Sequence, residues 1–183
     1  MAGVFKVSRP PVALEEAVQP DAWRAVSRRL LISARLLWKP LEDGLRGFEA
    51  THGTRTQAQY HEYAVLMEHA GAFFVLAGGA VENALKALLL KQALEGGRIV
   101  RTEDDLIDVV RKSHNLIALA KRAGLELSEG EARLLGRLAT YVVWAGRYPF
   151  PVQAPTAPDL DKHQTRDHDW REITAFIKKL ETL

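Results

Sequence analysis

Apolar residues recur every three or four positions along most of the chain, which is the pattern of amphipathic α-helices. No segment shows the alternation typical of a strand, and the sequence contains no internal repeat. The sequence therefore predicts an all-α protein, an up-and-down bundle of four or five helices. The predicted helices cover residues 21–39, 57–94, 103–111, 116–123, 128–146 and 167–180.

Proline and glycine residues set the predicted limits of these helices. Asp21 is a good N-cap for the first helix, and Pro40 is expected to end it. The Gly78–Gly79 pair lies inside the longest pattern, where it favours the close approach of another backbone over a break. Prolines at 149, 151, 155 and 158 predict an extended connection. Residues 1–20 are interpreted as an N-terminal arm, and residues 21–183 as one helical domain.

Composition removes several functional classes. The 183 residues carry a net charge of +2 and no cysteine, which excludes disulfides, thiolate metal sites, iron–sulfur clusters and cysteine nucleophiles. The N-terminus has no secretory apolar core, and no uninterrupted apolar run reaches the length of a membrane span. The sequence thus predicts a cytoplasmic protein that does not enter a membrane.

Charged and amide side chains interrupt the apolar stripe of the longest helix at Glu82, Asn83 and Lys86. Glu82 and Lys86 have the favourable spacing for an ion pair within a helix. If this face is buried, both charges need compensation, because an unpaired buried charge is costly. A structural ion pair is the simpler interpretation, and a direct role in ligand binding is the alternative.

A second candidate surface alternates guanidinium and aromatic groups along the 128–146 helix and just beyond it. Arginine matches phosphate geometry and aromatic rings stack on bases, so the pattern is typical of a nucleotide or RNA surface. An equally good interpretation places the aromatic rings at the edge of the core and the arginine side chains in solvent. The residues are Arg133, Arg137, Tyr141, Trp144, Arg147 and Tyr148.

The histidines give one further candidate, His114, which lies at a predicted helix start. The pairs His61 with Glu68 and Glu62 with His69 share helix faces, but they supply too few ligands for a metal site. No phosphate-binding glycine loop, dinucleotide fingerprint or nucleophile elbow is present. We therefore expect no metal and no cofactor.

Three segments together resemble the HEPN family, helical domains named for nucleotide binding in higher eukaryotes and prokaryotes. Residues 80–89, AVENALKALL, are similar to the long second helix of that family. The run SHNL at 113–116, with Leu119, resembles the start of its next helix, and Tyr141 followed by Arg147-Tyr148-Pro149 resembles the end of its fourth. The resemblance covers residues 57–180.

The resemblance implies a homodimeric bundle that acts on nucleotides or RNA, commonly beside a nucleotidyltransferase-type partner or in toxin–antitoxin and defence systems. Many family members are metal-independent ribonucleases with an Arg-x(4–6)-His motif in a late helix. No histidine follows Arg133, Arg137 or Arg147 at that spacing here. The resemblance therefore favours a non-catalytic module that binds nucleotide or RNA, or a protein partner that does.

The residues expected to bind the ligand face a common cleft in this hypothesis: Glu82, Asn83, Lys86, His114, Arg137, Tyr141, Arg147 and Tyr148. One alternative is a ribonuclease with a composite site, in which His114 from one helix works with Arg147 from another. A further alternative is a structural or antitoxin-like protein whose interface includes Trp23, Trp38 and Trp144.

Overall fold

The computed structural model describes residues 14–50, 56–110, 114–142 and 168–183, without the side chains of residues 48–50, 63, 64, 67 and 68. Every regular element in these ranges is helical, which confirms the all-α prediction. Tyr141 and Val142 continue the sixth helix in a wider turn of the π type. The helices are α1 (Leu14–Ala17), α2 (Pro20–Ala50), α3 (Gln57–Glu95), α4 (Glu103–Val110), α5 (Leu116–Arg122), α6 (Glu129–Thr140) and α7 (Asp169–Glu181).

Helix α3 is the centre of the fold, and α2 packs along it in the antiparallel direction. The ring centroids of Trp38 and Phe73 lie 5.1 Å apart. Further along, the Ser27 hydroxyl donates a 2.8 Å hydrogen bond to the Ala80 carbonyl oxygen. Residue numbers fall on α2 as they rise on α3, so the two helices form a long hairpin.

Helices α4, α5, α6 and α7 also pack against α3, and one hydrophobic cluster connects residues from α2 to α7. This arrangement explains why α3 is apolar on most of its sides rather than along one stripe. Its residues Phe73, Phe74, Val81, Leu85 and Leu90 have no exposed surface. Each such side chain contributes about 1.5–3 kcal/mol through burial.

The prediction that Pro40 ends the first helix is wrong, because α2 continues through it to Ala50. A proline inside a helix costs about 3 kcal/mol, since its nitrogen cannot donate to the carbonyl four residues earlier. Leu41 and Leu45, which follow Pro40, are buried in the core. Pro40 itself is exposed, so its ring clashes with no neighbouring helix, and core packing on both sides outweighs the lost hydrogen bond.

Two other predicted boundaries also differ. Helix α2 begins at Pro20 rather than after an Asp21 cap, since proline is already suited to the first turn. Residues 14–17, assigned to the arm, form the short helix α1. Helix α3 ends at Glu95, one residue beyond its predicted limit, and Gly96 and Gly97 follow, with Gly97 at φ = 80°.

The predicted close approach at Gly78 is confirmed. A Cβ atom there would overlap Val142 and would lie 3.3 Å from the carbonyl oxygen of Leu138. The absence of a side chain therefore lets α6 pack directly on the backbone of α3. The capping box that the spacing of Ser128 and Glu131 predicts is present at the start of α6, and of the two residues suited to cap α5, Ser113 and Asn115, the N-cap is Asn115.

Several predictions fall outside the described residues. They are the greater part of the N-terminal arm, the end of the fourth helix with Trp144, Arg147, Tyr148 and Pro149, and the proline-rich connection. One stretch that the structure does describe, His69–Glu95, is long and apolar enough to cross a membrane by length and composition alone. In the most apolar 18-residue window of this stretch, 72% is buried inside the fold. A helix in the core of a protein meets the same criteria of length and composition.

Candidate ligand-binding site

Glu82 is a nearly buried carboxylate with a basic group on each oxygen. Its side chain is 9% exposed. Oε1 lies 2.5 Å from the Nζ atom of Lys86, and Oε2 lies 2.9 Å from the Nδ1 atom of His114. The ion pair predicted from the helix spacing is confirmed, and His114 joins it from a different helix. Because a buried carboxylate requires such partners, all three side chains are fixed together.

The start of α5 brings His114 to this position. Asn115 is the N-cap of α5, and its side chain accepts a 3.0 Å hydrogen bond from the backbone N–H of Ala118. The next residue, Leu116, is fully buried and anchors the first turn against the core. The His114 ring therefore lies at the edge of the core, with 46% of its side chain exposed.

The carboxylate also determines which nitrogen of His114 carries a hydrogen. An ionised carboxylate only accepts hydrogen bonds, so Nδ1 is the donor to Glu82. In a neutral ring Nε2 is then the acceptor, and in a charged ring it is a second donor. Either form leaves the far nitrogen of a half-exposed imidazole for a ligand. Lys86 is only 12% exposed on its side chain.

Trp23 packs against Lys86 from α2. The Nζ atom of Lys86 lies 5.6 Å from the centroid of the indole ring, within the range of a cation–π interaction. The indole nitrogen of Trp23 donates a 2.8 Å hydrogen bond to the carbonyl oxygen of Ala17, which is the last residue of α1. The short helix α1 thus holds the ring that stabilises Lys86.

A hollow of about 390 Å³ opens beside Trp23, between α1, α2 and α3. The amide nitrogen of Asn83 donates to the carbonyl oxygen of Gly79 at 2.7 Å, which leaves the amide oxygen as an acceptor. A mainly apolar hollow with a few polar groups has the character of a small-molecule site. Its lining residues are Glu16, Ala17, Ala22, Trp23, Ala25, Val26, Arg29 and Asn83.

Arg137 and Tyr141 belong to a different cluster. Arg137 forms an ion pair with Asp169 of α7, and these side chains are 7% and 0% exposed. The guanidinium lies 5.4 Å from the Phe74 ring centroid, and Tyr141 stacks on the same ring at 4.6 Å. Burial raises the pKa of Tyr141, against a lowering by Arg137 and with a smaller raising by Asp169. We call these four residues the Arg137 cluster.

The structure thus brings together only some of the residues predicted to share a cleft. Glu82, Lys86 and His114 meet, and Asn83 lines the neighbouring hollow. The Arg137 cluster is centred on Phe74, eight residues and therefore about 12 Å from Glu82 along α3. Arg147 and Tyr148 lie outside the described residues.

The predicted arginine–aromatic stripe does not form one surface over its described part. Arg133 is exposed and pairs with Glu129, whereas Arg137 is inside the protein. A guanidinium that is 7% exposed and paired with a carboxylate does not offer its donors to a phosphate at the surface.

No family model, curated protein or solved structure matches this chain. Among the described residues, no group of three or more histidine, aspartate or glutamate side chains could hold a metal ion.

Sequence reasoning missed two residues that shape these clusters. Trp23 and Trp38 were named only in the alternative of a protein interface, but Trp23 packs on Lys86, and Trp38 is buried in the core. Asp169 was not among the candidate residues, although it is fully buried. An acidic residue in the first turn of a helix usually serves the helix dipole, so its position gives no sign of a distant arginine partner.

Proposed function

We propose that this chain is a HEPN-like helical module that binds a nucleotide or RNA without cleaving it. The observation that carries the proposal is the arrangement of Lys86 and His114 on the two oxygens of Glu82, beside the Trp23 hollow. The two basic groups are held in place and suit a phosphate, and the neighbouring aromatic ring suits a stacked base.

The burial of each group supports a division of roles. Glu82 orients the two bases, because it is nearly buried and both of its oxygens are engaged. His114 is the most exposed member and is placed to contact a phosphate. Asn83 and Trp23 line the hollow, where a base could stack on the indole and donate to the amide oxygen. Arg147 and Tyr148 remain predicted contacts from the resemblance.

The four- or five-helix HEPN-like bundle belongs to the same proposal. The long α3 with Glu82 and Lys86, followed by His114 at the start of α5, keeps the order of the segments that resemble the family. The resemblance also suggests a nucleotidyltransferase-type protein partner, which a pull-down with the ligand present and absent would identify.

Binding can be measured by fluorescence anisotropy with a labelled single-stranded RNA and by thermal shift with mononucleotides. A specific ligand raises the apparent stability by mass action. We expect His114→Ala to weaken binding about 10-fold or more, the size of one or two charge-assisted hydrogen bonds, and Lys86→Met to weaken it less, because Lys86 is only 12% exposed. Arg147→Ala should weaken phosphate-dependent binding without unfolding the bundle.

Lys91→Met is the matched control for Lys86→Met. Lys91 lies on the same helix and forms its own i,i+4 ion pair with Glu95, but its ammonium also reaches the C-terminal residue Leu183. It should leave binding unchanged. Equal effects of the two lysine variants would contradict the site, and no binding of any mononucleotide or RNA would contradict the function.

The contact between Glu82 and His114 also favours a second candidate function, a metal-independent ribonuclease. A carboxylate on Nδ1 orients the imidazole and makes Nε2 a general base. Nε2 would take the proton of a ribose 2′-hydroxyl, O2′ would attack phosphorus, and the departing O5′ would take a proton from water. The products would be a 2′,3′-cyclic phosphate and a 5′-hydroxyl end.

Incubation with single-stranded and structured RNA in EDTA distinguishes the two functions. A ribonuclease would cleave RNA, and His114→Ala would abolish the activity. His69→Ala is the control, since the Nδ1 of His69 is bound to the Val65 carbonyl oxygen within the same helix. No cleavage, or cleavage that His114→Ala leaves intact, excludes the ribonuclease and leaves the binding module.

A further inference from the structure

The outer face of α2 carries the most exposed large apolar side chains of the helices that the structure describes. Ile32 is 64% exposed and Leu36 is 74% exposed. Pro40, one turn beyond Leu36, is also exposed. Together Ile32, Leu36 and Pro40 form a continuous apolar row, here called the α2 spine. Exposed apolar rows of this kind mark interaction surfaces.

Ile32 and Pro40 lie four residues before and after Leu36, and the residues beyond them are also placed symmetrically about Leu36. Arg29 lies seven residues before Leu36 and Asp43 lies seven after it, and both are exposed. Ala25 and Gly47 lie eleven residues before and after, and are exposed as well. Steps of seven or eleven residues return to within about 20° of the same direction on a helix. All of these positions therefore share one face with the α2 spine.

We propose that two copies of this chain pair through α2, antiparallel, with a two-fold axis at Leu36. In this pairing Leu36 meets its own copy, and Ile32 meets Pro40 of the second chain. Arg29 meets Asp43 of the second chain, and the small residues Ala25 and Gly47 meet at both ends. A two-fold interface requires such a self-complementary surface.

The spacing of the face fits a helix pair. The positions 25, 29, 32, 36, 40, 43 and 47 advance by three or four residues, as in the seam of paired helices. They extend over 22 residue steps, or about 33 Å of helix.

Among the seven positions of this face, the two charges favour a second copy over a membrane or a nucleic acid, while Arg28, Arg35, Lys39 and Arg46 are exposed beside it. Phosphate groups would attract Arg29 but repel Asp43, whereas an antiparallel copy offers each charge its opposite. In a parallel pair Arg29 would face Arg29. Asp43 already contacts Lys39 at 2.5 Å, but that pair is exposed on both sides and contributes little. Asp43 can therefore accept a hydrogen bond from a second cation, Arg29 of the other copy, without destabilising the fold. The proposal rests on the exposed face of α2 and not on ligand binding, and Ala25 and Arg29 of that face also line the Trp23 hollow.

Sedimentation equilibrium of the purified chain tests the pairing. We expect a dimer, and Leu36→Asp should raise its dissociation constant at least 10-fold because it places two carboxylates at the axis. Ile99→Asp is the matched control, since Ile99 is as exposed as Ile32 but lies outside α2. A monomer at about 1 mM protein would overturn the proposal, because even a 4 kcal/mol interface forms there. A dimer insensitive to Leu36→Asp would overturn the assigned face.

A charge exchange tests the orientation. Arg29→Asp and Asp43→Arg should each weaken the dimer, because each places like charges together across the antiparallel interface. The double variant restores both opposite-charge pairs and should recover most of the wild-type affinity. Failure of the double variant to recover affinity would overturn the antiparallel register.

Cross-linking tests the register independently, and the chain has no native cysteine to interfere. Leu36→Cys should cross-link to itself with a short thiol-reactive reagent. Ile32→Cys should cross-link to Pro40→Cys in a mixture, and far less to itself. Efficient self-linking of Ile32→Cys would instead indicate a parallel pair and overturn the proposal.

Discussion

Two charged clusters pack on α3, and they differ in how far each is closed from solvent. In the Arg137 cluster, the arginine and its partner Asp169 are 7% and 0% exposed. In the Glu82 cluster, the carboxylate and Lys86 are 9% and 12% exposed, but His114 is 46% exposed. The first cluster joins two helices inside the core. The second has an open edge, where a ligand can reach a basic group.

The choice of cation follows the same division. The planar guanidinium of Arg137 lies against the Phe74 ring, and the side chain is only 7% exposed. The ammonium of Lys86 is at the end of a flexible stem and is the more adaptable donor. Removal of one partner should therefore cost more stability in the closed cluster than in the open cluster, whose edge stays accessible to a ligand.

The largest expected effect is that of Asp169→Asn in the closed cluster. The variant leaves a buried guanidinium facing a neutral amide, which costs about 3–5 kcal/mol when one partner of a buried pair is removed. Urea denaturation followed by circular dichroism measures the loss. A loss below about 1 kcal/mol would show that water reaches this cluster and that it is no more closed than the Glu82 cluster.

The double variant Arg137→Met with Asp169→Leu is the control for that experiment. Replacing both charges by apolar groups of similar volume is often neutral. The double variant should therefore be more stable than Asp169→Asn alone. Such recovery assigns the loss to the uncompensated charge rather than to altered shape.

Gly78→Ala tests the packing beside the closed cluster. The added methyl group would overlap Val142 at the end of α6, and overpacking of this kind costs about 1–3 kcal/mol. Gly71→Ala is the matched control, since it lies in the same helix with open space around it. It should gain about 0.5–1 kcal/mol from helix propensity. Equal shifts in melting temperature would contradict the close approach of α6.

Glu82→Gln should cost less than Asp169→Asn, about 1–2 kcal/mol, the usual value for hydrogen bonds to a charged group. Lys86 keeps its contact with the Trp23 ring, and His114 is half in solvent, so neither basic group is left without a favourable environment. The same denaturation experiment gives the value. A loss as large as that of Asp169→Asn would show that the Glu82 cluster is as closed as the Arg137 cluster.

The helical architecture was predictable because it depends on local pattern. The 3.6-residue period located α3 to within one residue at each end, and the Ser128–Glu131 capping box located the start of α6. The end of α2 was not predictable in the same way. Pro40 favours a stop locally, and only the burial of residues beyond it, such as Leu41, reverses that preference.

The site was predictable only within one helix. Glu82 and Lys86 pair at a fixed spacing, so their contact could be read from the sequence. Arg137 and Asp169 are 32 residues apart, and no local rule connects them. The sequence shows which side chains carry charge. Which charges are buried depends on how distant helices pack.

The smallest expected effect concerns an exposed ion pair between the same two helices that Arg137 and Asp169 join. Lys179 of α7 lies 2.7 Å from Glu131 of α6, with side chains that are 40% and 22% exposed. Burial raises the pKa of Glu131, but hydrogen bonds from Lys179 and Ser128 together lower it by more. The pKa is therefore below 4.5, the ordinary value for a glutamate. Because the folded-state pKa is depressed, the stabilisation is complete above pH 4.5 and is lost as the pH falls below it.

Glu131→Gln should therefore destabilise the protein by less than about 1 kcal/mol at neutral pH, since the pair is partly screened by water. The difference from the wild type should shrink as the pH is lowered from 5 to 3, because both proteins then lack the charge. Asp169→Asn gives the reference for a closed pair between the same helices. A difference for Glu131→Gln that stays constant over this range would mean that the ionised carboxylate contributes nothing to the fold. A loss of 3 kcal/mol or more would mean that burial does not separate strong from weak ion pairs in this protein.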